Sequence, residues 1–533
     1  MTVDVITAEY FRNEVRSLFK SDTEKYIGDS NAFMRDLSER IKDKLNEFPI
    51  LNDGKLKDLG QEVQLVRFVC MIHSDLRGDM RIFSYTKKDS PDSPQCAMFG
   101  AHGEDVLCNG PYSTATLHGF ERNVEAESVI YRKCYNVVML PGMTDWYRRE
   151  KYGQDVLIED LHDVAETHFC AGFFDTASHS FAVNTAYEVF AVLSPAVAHS
   201  LNSEYPHFKY PQLDVISYAP VGSDVCNRSI LIKSPAVGKY MMNLVTFFKD
   251  FVGPKTNALL LISALCSSRS VTPGSKHVQT RALPLNITDV KESKPIIEAV
   301  KFLMPRVRVV SASDMLSCDF SGNFNKVACD GFSTPLQLAP GTVLIIDETD
   351  APKGLIKNAR AKRNFGVLRN LIYRQELIYR NCFGTENISM DVTIILLSRH
   401  RSFITPTPFS FSKSHCFINS SNYDEYLSSC EQNAGLVSDM RNHLLYSRCL
   451  APRVSLSPSF CPLVSAFFNR LNVTSQGASL AVLYYNICLS RILAALHYSE
   501  EVEKKFFTLA YHILSHHPIK WVGGSSTFTV NLS

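Results

Sequence analysis

Val343-Leu344-Ile345-Ile346-Asp347-Glu348 sets four consecutive apolar residues directly before two carboxylates. A short run that is apolar at every position reads as a strand buried on both faces, as in a parallel sheet covered by helices. A buried strand that delivers Asp-Glu to a loop is also the form of the Walker B strand of P-loop ATPases. There the Asp holds magnesium and the Glu polarises the attacking water. Alone the motif is weak, because buried strands commonly end in acids, so its neighbours must decide the chemistry.

Working outward, helices and strands alternate. Helical stretches are expected at 236–252, 257–266 and 296–303, with another near 367–379, and strands at 282–287, 342–346 and 392–397. This alternation predicts an α/β core with a mostly parallel sheet. Magnesium-ATP chemistry in such a core also needs the loop Gly-x4-Gly-Lys-Ser/Thr, whose N–H groups and lysine cradle the phosphates. The sequence has Gly-Lys only at Gly54-Lys55 and Gly238-Lys239, with neither the second glycine nor the hydroxyl in place. Gly253-Pro254-Lys255-Thr256 has a proline where a phosphate nest needs an N–H donor, and reads as a turn before a helix. Asp347 and Glu348 are therefore candidates for a degenerate Walker B-like pair, with no catalytic residue, cofactor or metal assigned.

Lys353 to Arg380 holds eight lysines and arginines against one acid, Glu376. Lys357, Arg360, Lys362 and Arg363 form a candidate basic patch for DNA or an acidic protein surface, or a nuclear import signal. A solvated helix face explains the same charges.

On the N-terminal side the pattern changes. Phe11, Val15, Leu18 and Phe19 share one helical stripe, and Met34, Leu37, Ile41 and Leu45 another. From Leu65-Val66-Arg67-Phe68-Val69-Cys70-Met71-Ile72 onward the apolar runs are extended and separated by Gly, Pro, Ser and Asp, which predicts an OB-like β-barrel. The resulting plan is an α/β multi-domain protein. A helical N-terminal region covers 1–59, an OB-like β domain 60–200, a connector 201–235, the α/β core 236–430 and a helical C-terminal region 431–533.

The 533 residues predict about three domains. Lys plus Arg (55) nearly cancels Asp plus Glu (54), which leaves no general attraction to nucleic acid or anionic lipid. Scattered cysteines without a Cys-x-x-Cys pair point to reduced thiols rather than zinc or a disulfide framework. The start lacks a basic, apolar leader and no window approaches a membrane span, so a soluble, non-secreted protein is expected.

Several of these segments, in order, resemble the MCM-binding protein family. They are Phe48-Pro49-Ile50-Leu51-Asn52, the run from Leu65, and Leu140-Pro141-Gly142-Met143-Thr144-Asp145-Trp146, which is similar to the family's Pro-Gly-x-x-x-Trp element. Leu259 to Leu265, Leu283 to Ile287, Leu344 to Thr349, Leu371 to Gln375 and Val392 to Ser402 follow. The resemblance implies a degenerate MCM-like AAA+ core over 236–430, with Ser398 near the position where active relatives place a sensor Asn. It further implies a non-catalytic adaptor for MCM helicase subunits, acting in assembly, disassembly or unloading of MCM complexes during DNA replication and the cell cycle. Such a protein would be nuclear, with a cytoplasmic pool allowed, and would reach chromatin indirectly, with no membrane or small-molecule substrate. The alternatives are an active nucleotide-dependent AAA+ enzyme with an atypical phosphate loop, and a DNA-binding module. Segments 96–123 and 267–281 and the tail after 405 match the family poorly.

Overall fold

A computed structural model describes residues 6–59, 64–76, 78–87, 90–100, 124–153, 159–174, 181–195, 210–221, 237–268, 270–271, 278–280, 282–325, 330–331, 334–351, 358–381, 384–400, 402–404, 409–414, 416–456, 460–474, 479–516, 519–523 and 526–530. The chain forms two compact units, where its length suggests about three domains. One comprises Met1–Pro141, Arg149–Gly222 and Phe324–Ser333, and the other Gly142–Arg148, Ser223–Asn323 and Thr334–Ser533.

The first unit is built on seven strands: β1 (Gln64–Asp75), β2 (Asp79–Lys87), β3 (Ser90–Cys96), β4 (Val124–Met139), β5 (Phe169–Phe173), β6 (Ala186–Ser194) and β7 (Gln212–Pro220). Strands β1, β4, β5, β7 and β6 close on themselves as a five-stranded barrel, in which only β5 and β7 pair in parallel. Closure leaves no free edge on the ring. The first half of the long β4 continues outside it, pairing with β2, which pairs with β3. Alternate residues fill the interior, among them Val66, Phe68, Cys70 and Ile72 of β1 and Phe169, Ala171 and Phe173 of β5. The opposite positions are also buried, because α1 (Ala8–Ser21), α2 (Thr23–Gly28) and α3 (Ser30–Arg40) share a core with Leu65, Phe83, Phe190, Val192 and Ile216. Phe11, Val15, Phe19, Met34 and Leu37 point into that core, which is why β1 reads as a continuous apolar run. The closing strand β7 lies in the stretch read as a connector. Its apolar residues Leu213, Val215 and Ile216 sit between prolines 211 and 220, which obscure the strand in the sequence.

The second unit contains a parallel sheet. Its strands are β8 (Leu285–Thr288), β9 (Val307–Ser311), β10 (Thr342–Asp347), β11 (Val392–Leu397) and β12 (Phe409–Ser412). They lie in the order β9-β10-β11-β8-β12, all parallel, and β13 (Ile519–Gly523) and β14 (Ser526–Val530) extend the sheet as an antiparallel hairpin. The C-terminal region is thus helical only up to this hairpin. Val343, Ile345, Ile395 and Leu397 face a core with α4 (Val237–Val252), α5 (Lys255–Cys266) and α6 (Lys294–Leu303), joined by the C-terminal helices. Their neighbours Leu344, Ile346, Ile394 and Leu396 face α7 (Ala312–Ser317) and α8 (Ala359–Arg374) on the other side.

Helix α8 begins earlier than the apolar pattern suggests and stops at Arg374. Gln375 then turns left-handed (φ 55°), and Glu376–Asn381 is a strand, not helix, paired with Gly384–Ser389. The Gly253-Pro254 turn takes the form its residues dictate: Gly253 has φ 94°, Pro254 is the N-cap of α5, and the Asn257 amide donates back to the Val252 carbonyl. Among the described residues the cysteines are free, and no helix is long and apolar enough to cross a membrane.

Candidate functional site

In open parallel sheets ligands bind at the carboxyl ends of the strands, so the ends of β8, β10 and β11 are where chemistry would be expected. A phosphate-binding ATPase would carry its glycine loop between β8 and α6. Here the connection is only Asp289-Val290-Lys291-Glu292-Ser293, too short for Gly-x4-Gly-Lys-Ser/Thr. Asp289 makes the turn in the left-handed region (φ 59°), and its carboxylate accepts a hydrogen bond from Ser412 Oγ at 2.6 Å. The Ser420 hydroxyl and, at 3.1 Å, its N–H both bond to Glu292, and this bonding lowers the pKa of Glu292 below the ordinary value. Two carboxylates therefore stand in the short connection after β8, where like charge opposes an anionic ligand.

Asp347 ends β10, and its hydrogen bonds come from the chain itself. Ser293 Oγ donates to Oδ2 at 2.6 Å, while Thr349 donates to Oδ1 through its N–H at 2.9 Å and its hydroxyl at 2.6 Å. In an active site the loop hydroxyl and this Asp would share magnesium. Here they bond directly to each other.

Glu348 is 4% exposed. Its backbone N–H joins β10 to the Leu397 carbonyl at the end of β11, and its Oε2 accepts the Phe403 N–H at 3.1 Å. Burial raises its pKa above the ordinary carboxylate value, opposed by hydrogen bonds from Ser402, Phe403 and Ile404. Glu348 thus anchors the segment after β11. Ser398 is buried, with Oγ 3.1 Å from Asn286 Oδ1 and 2.9 Å from the His400 carbonyl, so its hydroxyl serves the ends of β8 and β11.

The sequence reading missed Ser293 and Phe403. Ser293 had one usable signal, its place directly before Lys294-Pro295, where Pro sits in the first turn of α6. Of the basic candidates, Arg360, Lys362 and Arg363 lie exposed on α8 and take no part in the strand-end hydrogen bonds, and Lys357 lies outside the described residues. Among the described residues no group of three or more His, Cys, Asp or Glu could hold a metal ion.

Replacing Glu348 tests this account. A carboxyl whose folded pKa exceeds its unfolded value contributes most stability when protonated, and loses that contribution as pH rises through the folded pKa. Glu348→Gln stays neutral and keeps an acceptor for Phe403. Its melting temperature should equal or exceed that of the parent at pH 7, with the gap closing as pH falls towards the ordinary value of 4.5. A clear destabilisation at pH 7 would show that the hydrogen bonds to the ionised carboxylate outweigh its burial.

Residues 243–505 match the model of a family described as "mini-chromosome maintenance replisome factor". A protein from Schizosaccharomyces pombe, named only as a UPF0616 protein, is 26% identical over 164 residues, covering 30% of this chain and 32% of that relative. The chain thus spans about a third of the length of the relative it matches.

Proposed function

We propose that this chain, which carries the mini-chromosome maintenance replisome factor domain over residues 243–505, is a non-catalytic binding partner of the MCM helicase. Its role would be in assembly, disassembly or unloading of MCM complexes, within the nucleus. The carrying observation is the direct Ser293–Asp347 bond beneath a connection too short for a phosphate loop. The order of the sheet around it supports this reading. The strand that would feed a phosphate loop (β8) and the carboxylate-ended strand (β10) are separated by β11, with β12 on the far side of β8, so their carboxyl ends face one shared crevice. We read the module as a degenerate AAA+ core whose strand-end groups have become structural. A subunit-like body of this kind could occupy an MCM face and weaken ring contacts, which requires a specific interface and no hydrolysis.

Two measurements test this reading. Titration calorimetry with magnesium-ATP should show no binding, since the missing loop and lysine forfeit several charge-assisted bonds of roughly 1.5 to 3 kcal/mol each. Micromolar affinity would restore the enzyme alternative. Affinity capture of the full chain from nuclear extract should retain MCM subunits after nuclease treatment. Binding should also lack the roughly thousand-fold loss between 50 and 200 mM salt that is typical of six to ten phosphate contacts. Release of the subunits by nuclease would favour a DNA-binding module.

A further inference from the structure

Helix α8 buries one face and exposes five cations on the other, around the exposed Gly366. Ala361, Asn364, Val367, Leu368, Leu371 and Ile372 are buried. Asn364 fixes the helix in place, accepting the Phe320 N–H at 3.0 Å and donating to the Met315 and Cys318 carbonyls at 2.8 Å. Arg360, Lys362, Arg363, Arg369 and Arg374 are exposed, and none forms an ion pair with a carboxylate among the described residues. No acidic residue occurs anywhere in the helix to moderate them.

Two segments that touch this helix carry exposed apolar side chains. Arg360 donates to the Ser317 carbonyl at 2.7 Å, and the preceding residue of that segment, Leu316, is 39% exposed. The Phe365 ring lies 6.3 Å from the ring of Phe403, also 39% exposed. Phe403 is in turn held by the hydrogen bond from its N–H to Glu348. The carboxylate that would polarise water in an ATPase thus positions an aromatic side chain beside a basic helix.

We propose that the α8 face, together with Leu316 and Phe403, is a docking surface for an acidic protein segment that carries apolar side chains among its carboxylates. Unpaired arginines and a lysine supply charge complementarity, and Phe with Arg is the composition enriched where protein partners bury their anchors. A nucleic acid would use the cations, but Leu316 offers nothing to a phosphate or a base. Five phosphate contacts alone would also leave binding weak at physiological salt. The surface is argued from its own chemistry and stands apart from the helicase reading, so either can fail without the other.

The test is fluorescence anisotropy with the full chain at about 0.1 M salt. The probe is a labelled peptide of Asp and Glu containing one Phe and one Leu, compared with an all-acidic peptide of equal charge and with single-stranded and duplex DNA. The mixed peptide should bind about tenfold more tightly than the all-acidic one. Lys362→Glu with Arg363→Glu, both exposed and safe for folding, should weaken it at least as much. Glu348→Ala should weaken it and Glu348→Gln should retain it, a pattern that a merely charged surface would not give. Equal affinity for the two peptides, tighter binding of either DNA, or no response to the charge reversals would overturn the proposal.

Discussion

Arg132→Ala is expected to lower the stability of the barrel unit by about 3 to 5 kcal/mol, the largest single-residue effect anticipated. Arg132 is fully buried. Its Nε and Nη2 donate to the two oxygens of Asp79 at 2.9 and 2.8 Å, Nη1 to Asp214 at 2.5 Å, and Nη2 also to Gln212 at 3.0 Å. The guanidinium thus joins three strands, β2, β4 and β7, and truncating it leaves Asp214 out of water without its cation and Asp79 with only Arg81, at 3.5 Å. For a unit of this size such a loss corresponds to a fall in melting temperature of roughly 6 to 20 °C, readable by circular dichroism. Asp214→Asn should recover part of it, since a neutral amide needs no counter-charge, while Asp79 is kept as the partner of the buried Arg81. Gly172 offers a second route to the same cluster. A Cβ built there lies 2.0 Å from Arg132 Cδ, whose head is pinned by its carboxylates, so Gly172→Ala should also destabilise. An Arg132→Ala variant melting within 2 °C or so of the parent would show that the cluster contributes little.

Trp146→Ala should cost the second unit about 2 to 3 kcal/mol, somewhat less than truncation of a fully buried aromatic because the indole is half-buried. Trp146 Nε1 donates to the Lys301 carbonyl at 2.9 Å, and the Arg441 guanidinium lies 4.0 Å from the indole centroid. Arg441 also donates through Nε to the Phe302 carbonyl, so one cation caps the C-terminal turn of α6 and stacks on the indole. The approach of the segment is set upstream. Gly142 has φ 76°, with a built Cβ only 3.2 Å from the Val307 carbonyl, and the Thr144 N–H donates to the Pro305 carbonyl. Gly142→Ala should therefore destabilise through backbone strain as well as crowding. A double-mutant cycle of Trp146→Ala and Arg441→Ala, read by thermal melting, should give a favourable coupling of roughly 0.5 to 2 kcal/mol. Strict additivity would mean that the stacking contributes nothing.

The Pro-Gly-Met-Thr-Asp-Trp element thus gains a physical reading beyond resemblance. Its glycine supplies a left-handed turn under a carbonyl, its threonine ties to the end of α6, and its tryptophan is clasped by an arginine from the C-terminal helices. The family match begins at residue 243, after this element, so its role here rests on geometry.

Much of the architecture was determined by the sequence alone, because it is written in local periodicity. Four apolar residues ahead of Asp347 define a doubly buried strand. The stripes of Phe11, Val15, Leu18 and Phe19 define a helix face that is in fact buried, and the lack of a glycine loop before Lys294 is visible without coordinates. Local patterns are legible because the side-chain periods of strands and helices are fixed by backbone sterics. Helix α8 was only half legible: its basic first turns hold few apolar residues, and its left-handed stop falls on Gln375 rather than glycine.

The remaining features were decided by tertiary structure, where residues far apart in the chain meet. Strand β7 completes the barrel only by pairing with β5 and β6, although prolines flank it. Ser293 reaches Asp347 across 54 residues, Phe403 reaches Glu348 across 55, and Trp146 reaches Lys301 across 155. No local period records such pairings. They are selected by which buried donor finds which buried acceptor once the sheets have closed, because an unpaired polar group away from water costs about 1 to 3 kcal/mol.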